Sequence, residues 1–384
     1  MINSCSSKRI AVIGGLTDHQ FDSKVRPLFF SDNVERIYLF RYNGNPVSVK
    51  HGKVVELVSG KLTPRRLHDI INLIWIFCLC LLRKVDVLVG IYLYPHGVFA
   101  GLLGRLFGIP VIQIMPGTDL AVYLETRRFD SILSSARAIG LRGERSLQQL
   151  ADDGFPPKQL FVLNNVFELE SHECCQKKVE KIYDLVTVGS LIERKRFDIF
   201  LRIVARLKVQ WPHLRCLIVG DGLERRNLES LSFGLGLKQN VTFYGFSPRV
   251  LDLLHSSKIF VMTTRLEGLP MAMVEAMSCG LPVVVPRIND IPTLVKHGNN
   301  GFLVEDSEVD SYTKLCAELL ADEMKRRKMG QRAAAVIEKL CAADYSFEAV
   351  ASVWHRLLVE LEPESLSQQN FRKIVSLPAG SSEL

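Results

Sequence analysis

Two acids in the stretch RLEGLPMAMVEAMSCGLPVVV, Glu267 and Glu275, stand eight positions apart on either side of a helix start. The free N–H groups of a helix start attract phosphate, and a carboxylate beside a phosphate would repel it. The two acids must therefore serve something other than the anion. Hydroxyl groups fit, because a carboxylate accepts two hydrogen bonds from a vicinal diol at fixed spacing. A diphosphate with a diol on each side describes a nucleotide sugar.

Glu267 follows the strand-like run KIFVMTT, at a strand's carboxyl end, and precedes Gly268, which lets backbone approach a ligand closely. Pro270 fits the first helical position and Gly280 the position just past the helix end. Met273, Ala276, Met277 and Gly280 then share one face, suited to packing on a sheet, with Glu275 roughly opposite. Taken alone, Glu275 would read as a solvated surface residue and Lys195, in the run ERKR, as an exposed lysine.

The elements that must position these residues are β-branched runs alternating with helical patterns, the pattern of parallel α/β layers. The first half holds the strand-like runs RIAVIGG, RIYLFRY, VDVLVGIY, PVIQIMPG, RAIGLRG and QLFVLNNV. A polar, aperiodic segment follows, and the pattern restarts with YDLVTVGS, LRCLIVGDG, VTFYGF, KIFVMTT and PVVVP. The reading is two Rossmann-like doubly wound domains facing across a cleft at the carboxyl ends of both sheets. Residues 1–168 form the first, 169–181 a linker, 182–345 the second, 346–362 a closing helix returning toward the first, and 363–384 a polar tail.

The second half resembles the retaining glycosyltransferases of family 4, which have the GT-B fold. Glu267 and Glu275 match that family's E-x7-E signature within EGLPMAMVEAMSCGLPVV. VGSLIERKRFD is similar to its lysine-bearing segment, LIVGDG to its glycine turn, VTFYGF to its strand before the base pocket, and HGNNGFLVEDSE to its closing loop. The resemblance implies that Glu275 holds ribose hydroxyls, Glu267 the hydroxyls of the transferred sugar, and Lys195 the charge growing on the diphosphate leaving group. Ser190, Arg194, Gly222, Phe246, Gly268 and Leu269 complete the expected donor site, with Gly15 from the first strand's glycine turn. Gly14 and Gly15 read equally well as a tight turn with no ligand.

Three positions depart from the family pattern. Ser190 stands where an arginine often meets the phosphates, with Arg194 or Arg196 as its substitute, and Thr293 where many members have glutamate. Pro116, in MPGTD, takes the place of a histidine near the reacting sugar. The resemblance implies transfer on one sugar face with the leaving phosphate deprotonating the acceptor, so no protein nucleophile is required. Asp119 either orients the acceptor hydroxyl or caps the following helix. His96, in YPHGVFAG, either faces the cleft or simply begins a helix.

Composition narrows the rest. With 47% hydrophobic and 23% charged residues, the 384-residue chain reads as globular with room for two cores. Its net charge of +7 is not gathered into a block, which argues against nucleic acid and suits phosphate-bearing molecules or an anionic membrane surface. Nine cysteines without metal or redox spacing fit reduced thiols in the cytoplasm, and MINSCSSKRIAVIGG has no apolar stretch of signal-peptide length. IINLIWIFCLCLL, 70–82, is too short to span a bilayer; a helix buried on the sheet is favoured over one lying on lipid.

No Asp-x-Asp occurs, so neither a metal nor another cofactor is expected. The expected partners are a nucleotide sugar as donor, a glycan or lipid-linked acceptor and the inner membrane surface. A sugar-nucleotide epimerase on the same fold, or an inactive partner subunit, are the rival readings. An oxidoreductase fits worst, since neither VIGGLTDH nor VGDGLERR completes G-x-G-x-x-G.

Overall fold

The structure, a computed structural model, describes residues 7–14, 23–41, 52–56, 65–167, 180–305, 308–343 and 345–361. The chain divides into two compact units, one reaching Val166 and resuming at Ser346, the other Phe167–Tyr345.

The first unit is built on a parallel sheet of seven strands. They are β1 (Lys8–Gly14), β2 (Val34–Arg41), β3 (Val54–Glu56), β4 (Val87–Ile91), β5 (Val111–Ile114), β6 (Ala138–Leu141) and β7 (Leu160–Val162). Their order is β3-β2-β1-β4-β5-β6-β7, so the winding reverses between β1 and β4. Helices on both faces of a parallel sheet demand uninterrupted apolar strands, and Ile10, Ala11, Val12, Leu88, Val89 and Ile91 are all fully buried. The short β3 was not anticipated from the sequence.

The closing helix, Phe347–Glu360, belongs to this unit. Ser346 caps it, accepting from the Ala349 N–H at 3.1 Å. Val350, Trp354 and Leu358 enter the same core as Ile10, Val12 and Leu28. The Trp354 indole N–H donates to the Lys24 carbonyl at 3.1 Å.

The helix Arg65–Leu81 corrects an expectation. Ile76 and Cys80, one turn apart, are buried on the sheet, but Ile74, Trp75, Phe77, Leu81 and Leu82 are exposed. An apolar run of that length covers the whole helix circumference, while a single sheet covers only one side. Phe77 meets Phe107 of the neighbouring helix Val98–Phe107 edge-on, ring centroids 5.3 Å apart. That helix adds exposed Leu102 and Leu106. Among the described residues no helix is long and apolar enough to cross a membrane.

The second unit repeats the winding in six parallel strands: β8 (Tyr183–Val188), β9 (Cys216–Val219), β10 (Val241–Gly245), β11 (Ser257–Val261), β12 (Val283–Pro286) and β13 (Gly301–Val304). Their order is β10-β9-β8-β11-β12-β13. GFLV, read from sequence as part of a closing loop, is the edge strand β13, paired with β12 from Val283↔Gly301 to Pro286↔Val304. Two further helices, Val309–Ala321 and Glu323–Ala343, complete the unit and were not singled out by the sequence pattern.

Candidate active site

Loops leaving the carboxyl ends of β8, β9 and β11 assemble around Lys195. The β8 loop makes a short 3-10 turn, Glu193–Lys195, that ends on Arg196 in the left-handed region (φ 51°). A non-glycine residue there needs support, and the Arg196 guanidinium donates twice to Asp198, at 2.8 and 3.0 Å. Arg196 is thus committed to holding the turn.

The β11 loop clasps the same turn. Thr263 Oγ1 donates to the Arg196 carbonyl at 2.7 Å, Thr264 Oγ1 to the Arg194 carbonyl at 3.2 Å, and the Arg265 N–H to that carbonyl at 2.9 Å. Both threonines are buried, so these bonds carry the full cost of being left unmade. The clasp brings Lys195 Nζ onto Glu267 Oε1, an ion pair with 17% and 12% side-chain exposure. Asn289 holds Glu267 from behind, its side-chain amide donating to the Glu267 carbonyl. Thr263, Thr264 and Asn289 were missed from sequence; the paired threonines closing KIFVMTT were the available signal.

Glycines set the floor. A Cβ on Gly189 (φ +157°) would lie 3.9 Å from Lys195 Nζ, so only backbone separates β8 from the ammonium. A Cβ on Gly220 (φ +136°) would lie 1.9 Å from the Gly189 carbonyl oxygen, and one on Gly222 2.4 Å from that of Leu191. The turn after β9 therefore packs bare backbone on the β8 loop, tied by Leu191 N–H to the Asp221 carbonyl at 2.9 Å. Gly222 works here as packing, its N–H already donated to Asp221 Oδ1 at 2.7 Å.

Pro270 is the N-cap of the helix Met271–Ser278, one position before the expected first turn. No side chain caps that start and no acid lies in its first turn, so its N–H groups remain suited to an anion. Met273, Ala276 and Met277 are fully buried on the sheet as the spacing implied. The helix ends at Gly280 (φ +70°), with Gly280 N–H to Met277 and Leu281 N–H to Ala276, at 3.0 and 3.1 Å. Glu275 is half-buried, less open than a solvated helix face. Gly268 is buried and Leu269 packs beside the unit's core.

The remaining candidates separate. Ser190 and Arg194 are exposed, Arg194 reaching only the Leu266 carbonyl at 3.4 Å. Phe246, one residue past β10, is 79% exposed. Thr293 bonds back to the Asp290 carbonyl in its own helical turn at 2.5 Å. Gly15 lies outside the described residues. Asp119, in the first unit, does not cap its helix: Pro116 is the N-cap, without a side-chain bond, and Asp119 Oδ2 accepts from the Leu93 N–H at 2.7 Å. His96, also there, is buried beside the end of β4, and burial lowers its imidazole to about 4. Among the described residues no three His, Cys, Asp or Glu side chains group as a metal set.

Residues 175–336, which hold every element of the Lys195–Glu267 site, match the family model for glycosyl transferases group 1. The second unit is thus similar to the glycosyl transferases group 1. An uncharacterized glycosyltransferase of Haemophilus influenzae is 27% identical over 62% of this chain and 64% of its own length. The UDP-Gal:alpha-D-GlcNAc-diphosphoundecaprenol alpha-1,3-galactosyltransferase of Escherichia coli is 25% identical over 67% of this chain and 72% of its own. The chain thus spans about two thirds of these relatives' length. Anabaena HepE, solved with UDP and glucose, superposes with a TM-score of 0.69 at 17% identity, over 92% of this chain and all of that one. The fold is GT-B, and the matched segment lies within its second unit.

Proposed function

We propose that the chain is a retaining glycosyltransferase that moves a sugar from a nucleotide-diphosphate sugar to a hydroxyl of a glycan or lipid-linked glycan. The observation that carries this reading is the Lys195–Glu267 ion pair, set among three glycine-backed loops just before an uncapped helix start. An ammonium has three donors, so Lys195 can keep Glu267 and still offer two N–H groups to phosphate oxygens. Glu267 keeps free lone pairs for sugar hydroxyls. The pair thereby matches the junction between a diphosphate and a sugar, where charge builds as the bond to the leaving group lengthens.

In the proposed step the C1–O bond to the diphosphate breaks and the acceptor oxygen bonds to C1 on the same face. The acceptor proton passes to the departing phosphate oxygen. Glu275, further along the helix, takes the ribose diol, and the helix N–H groups share the diphosphate charge. Asp119 orients the acceptor hydroxyl. The name of the Escherichia coli relative supports a lipid-linked acceptor.

A lipid-linked acceptor gives the exposed apolar face of the first unit a role. Ile74, Trp75, Leu81 and Leu82, continued by Leu102 and Leu106, form an apolar patch with exposed Arg83 and Lys84 beside it. Apolar residues rimmed by cations suit a bilayer with anionic headgroups. The proposed location is the cytoplasmic face of a membrane, held peripherally.

The test is nucleotide release from UDP-, GDP- and ADP-sugars with candidate acceptors, with the anomeric configuration of the product read by NMR. Release with a retained anomer supports the reading. An inverted anomer, or sugar conversion without nucleotide release, replaces it.

A further inference from the structure

Two aromatic side chains of the first unit, Tyr94 and Phe129, stack on each other outside its cores. Their ring planes are 9° apart and their centroids 5.5 Å apart, yet Tyr94 is 69% and Phe129 36% exposed. With one ring face on Phe129, what Tyr94 shows to water is its other face and its hydroxyl. Among the described residues that hydroxyl makes no hydrogen bond.

The pair is held still from both sides. Tyr94 lies in the connection 92–97, between β4 and the helix Val98–Phe107. There the Tyr92 N–H donates to the Ile114 carbonyl at 3.1 Å and the Leu93 N–H to Asp119 Oδ2 at 2.7 Å. A Cβ on Gly97 would lie 2.1 Å from Oε1 of buried Gln113, so this connection rests directly on β5. Phe129 comes from the turn after the helix Gly117–Thr126 and sits at φ 65°, two residues past Arg127 at φ 54°. A bulky aromatic in the left-handed region carries strain that its surroundings must offset. The Phe129 carbonyl accepts from the Ile132 and Leu133 N–H groups, both at 3.0 Å, and the Tyr94 ring covers its face. Exposed aromatic surface on a fixed, strained turn points to a ligand.

The chemistry of the exposed face says which. A pyranose ring offers a face of slightly positive C–H bonds and a rim of hydroxyls. An aromatic face is slightly negative, and the Tyr94 hydroxyl at its edge both donates and accepts. A lipid chain has no use for that hydroxyl, and aliphatic side chains serve it equally, as on the patch from Ile74 to Leu106. Tyr94 also directly follows Leu93, whose N–H Asp119 holds.

We propose that Tyr94, backed by Phe129, is a stacking platform for a sugar ring of the acceptor, at the carboxyl end of the first sheet. Assignment of that ring to the acceptor rests on the transferase reading above; its binding at Tyr94 does not.

The experiment is saturation-transfer NMR on the full chain without nucleotide, irradiating the aromatic protons. The probes are the methyl α-glycosides of glucose, galactose, mannose and N-acetylglucosamine. The expected result is saturable transfer to at least one of them, strongest on the C–H protons of a single ring face. Tyr94→Ala, confirmed folded by its thermal melt, should weaken that binding about tenfold or more, having lost both stack and hydroxyl. Tyr94→Phe keeps the stack and should lose less. Transfer to none of the four sugars, or equal binding by folded Tyr94→Ala, overturns the proposal. So does transfer to uridine alone, or sugar transfer that disappears in Glu267→Ala, which would assign the sugar to the second unit.

The two readings fail separately. Nucleotide-sugar turnover with no sugar bound at Tyr94 would leave the transferase reading standing without this platform. Sugar binding lost in Tyr94→Ala, in a chain that turns over no nucleotide sugar, would do the reverse.

Discussion

Lys195 and Glu267, 72 positions apart in the chain, meet as an ion pair on a turn clasped by Thr263 and Thr264, with the bare backbone of Gly189 beneath it. The pair is largely out of water, so each partner's worth depends on the other. Glu267→Ala should reduce turnover about a hundredfold or more while changing nucleotide affinity by much less, since its recipients are the sugar hydroxyls. Lys195→Met should reduce both turnover and affinity and lower stability by about 1–3 kcal/mol, because the Glu267 carboxylate is left half-buried and alone. In the double variant the turnover losses should fall well short of multiplying, as for residues that act together. Steady-state kinetics with nucleotide titrations measure all of these, and wild-type turnover in Glu267→Ala would remove its assigned role.

Glu275 should behave differently, because the proposal places it on the nucleotide's ribose. Glu275→Ala should weaken nucleotide binding by about tenfold and lower turnover in step, the cost of one charge-assisted contact. Equilibrium binding of nucleoside diphosphate alone, with no sugar present, isolates the effect. Unaltered diphosphate affinity would place the ribose elsewhere.

How much of this could be read from residues alone depends on the kind of signal. The continuous apolar strands KRIAVIG and VLVGI announced a buried parallel sheet, because nothing else needs both faces apolar. The Met271–Ser278 helix was equally plain, its face and its glycine stop both set locally. The edge strand GFLV was hidden by its four-residue length, and Thr263 and Thr264 by the fact that their partners sit about 70 positions away. The helix Arg65–Leu81 was misread because an all-round apolar sequence does not say which side the sheet takes.

The glycine floor carries its own expectation. Gly220→Ala would set a Cβ 1.9 Å from the Gly189 carbonyl oxygen at a φ that side chains avoid, so the β8 and β9 loops must part. Stability should fall by about 2–4 kcal/mol, and turnover with it, as Gly189 carries the backbone beneath Lys195. Gly234→Ala, where nothing lies within 4 Å, serves as the control and should change the melting temperature little. Equal melting temperatures for the two variants would contradict this packing.

Buried His96 makes the first unit acid-sensitive. Its folded imidazole takes a proton only near 4, while the unfolded one takes it at the ordinary value of 6.5. Between those values unfolding binds a proton, so this contribution is intact above about 6.5 and is lost as pH falls toward 4. The full shift corresponds to ~3 kcal/mol. Melting curves of wild type and His96→Gln from pH 7 to 4.5 test it, the carboxylates titrating alike in both. The wild type should lose several degrees more than the variant; parallel curves would show that His96 is not the acid-sensitive group.

The exposed apolar face of the Arg65–Leu81 and Val98–Phe107 helices should bind lipid. Each Leu- or Trp-sized side chain moved out of water is worth about 1.5–3 kcal/mol, so replacing two of them should cost well over tenfold in affinity. Trp75→Glu with Leu106→Glu should abolish sedimentation with vesicles containing anionic phospholipid, leaving turnover on a water-soluble acceptor unchanged. Wild-type binding should weaken with salt, through screening of Arg83 and Lys84, and should fall on purely zwitterionic vesicles. Trp75 is half exposed, Trp211 partly buried and Trp354 fully buried, so a blue shift of tryptophan emission on adding vesicles should be lost in Trp75→Phe and kept in Trp211→Phe. Retained vesicle binding by the double variant would assign the membrane contact to another surface.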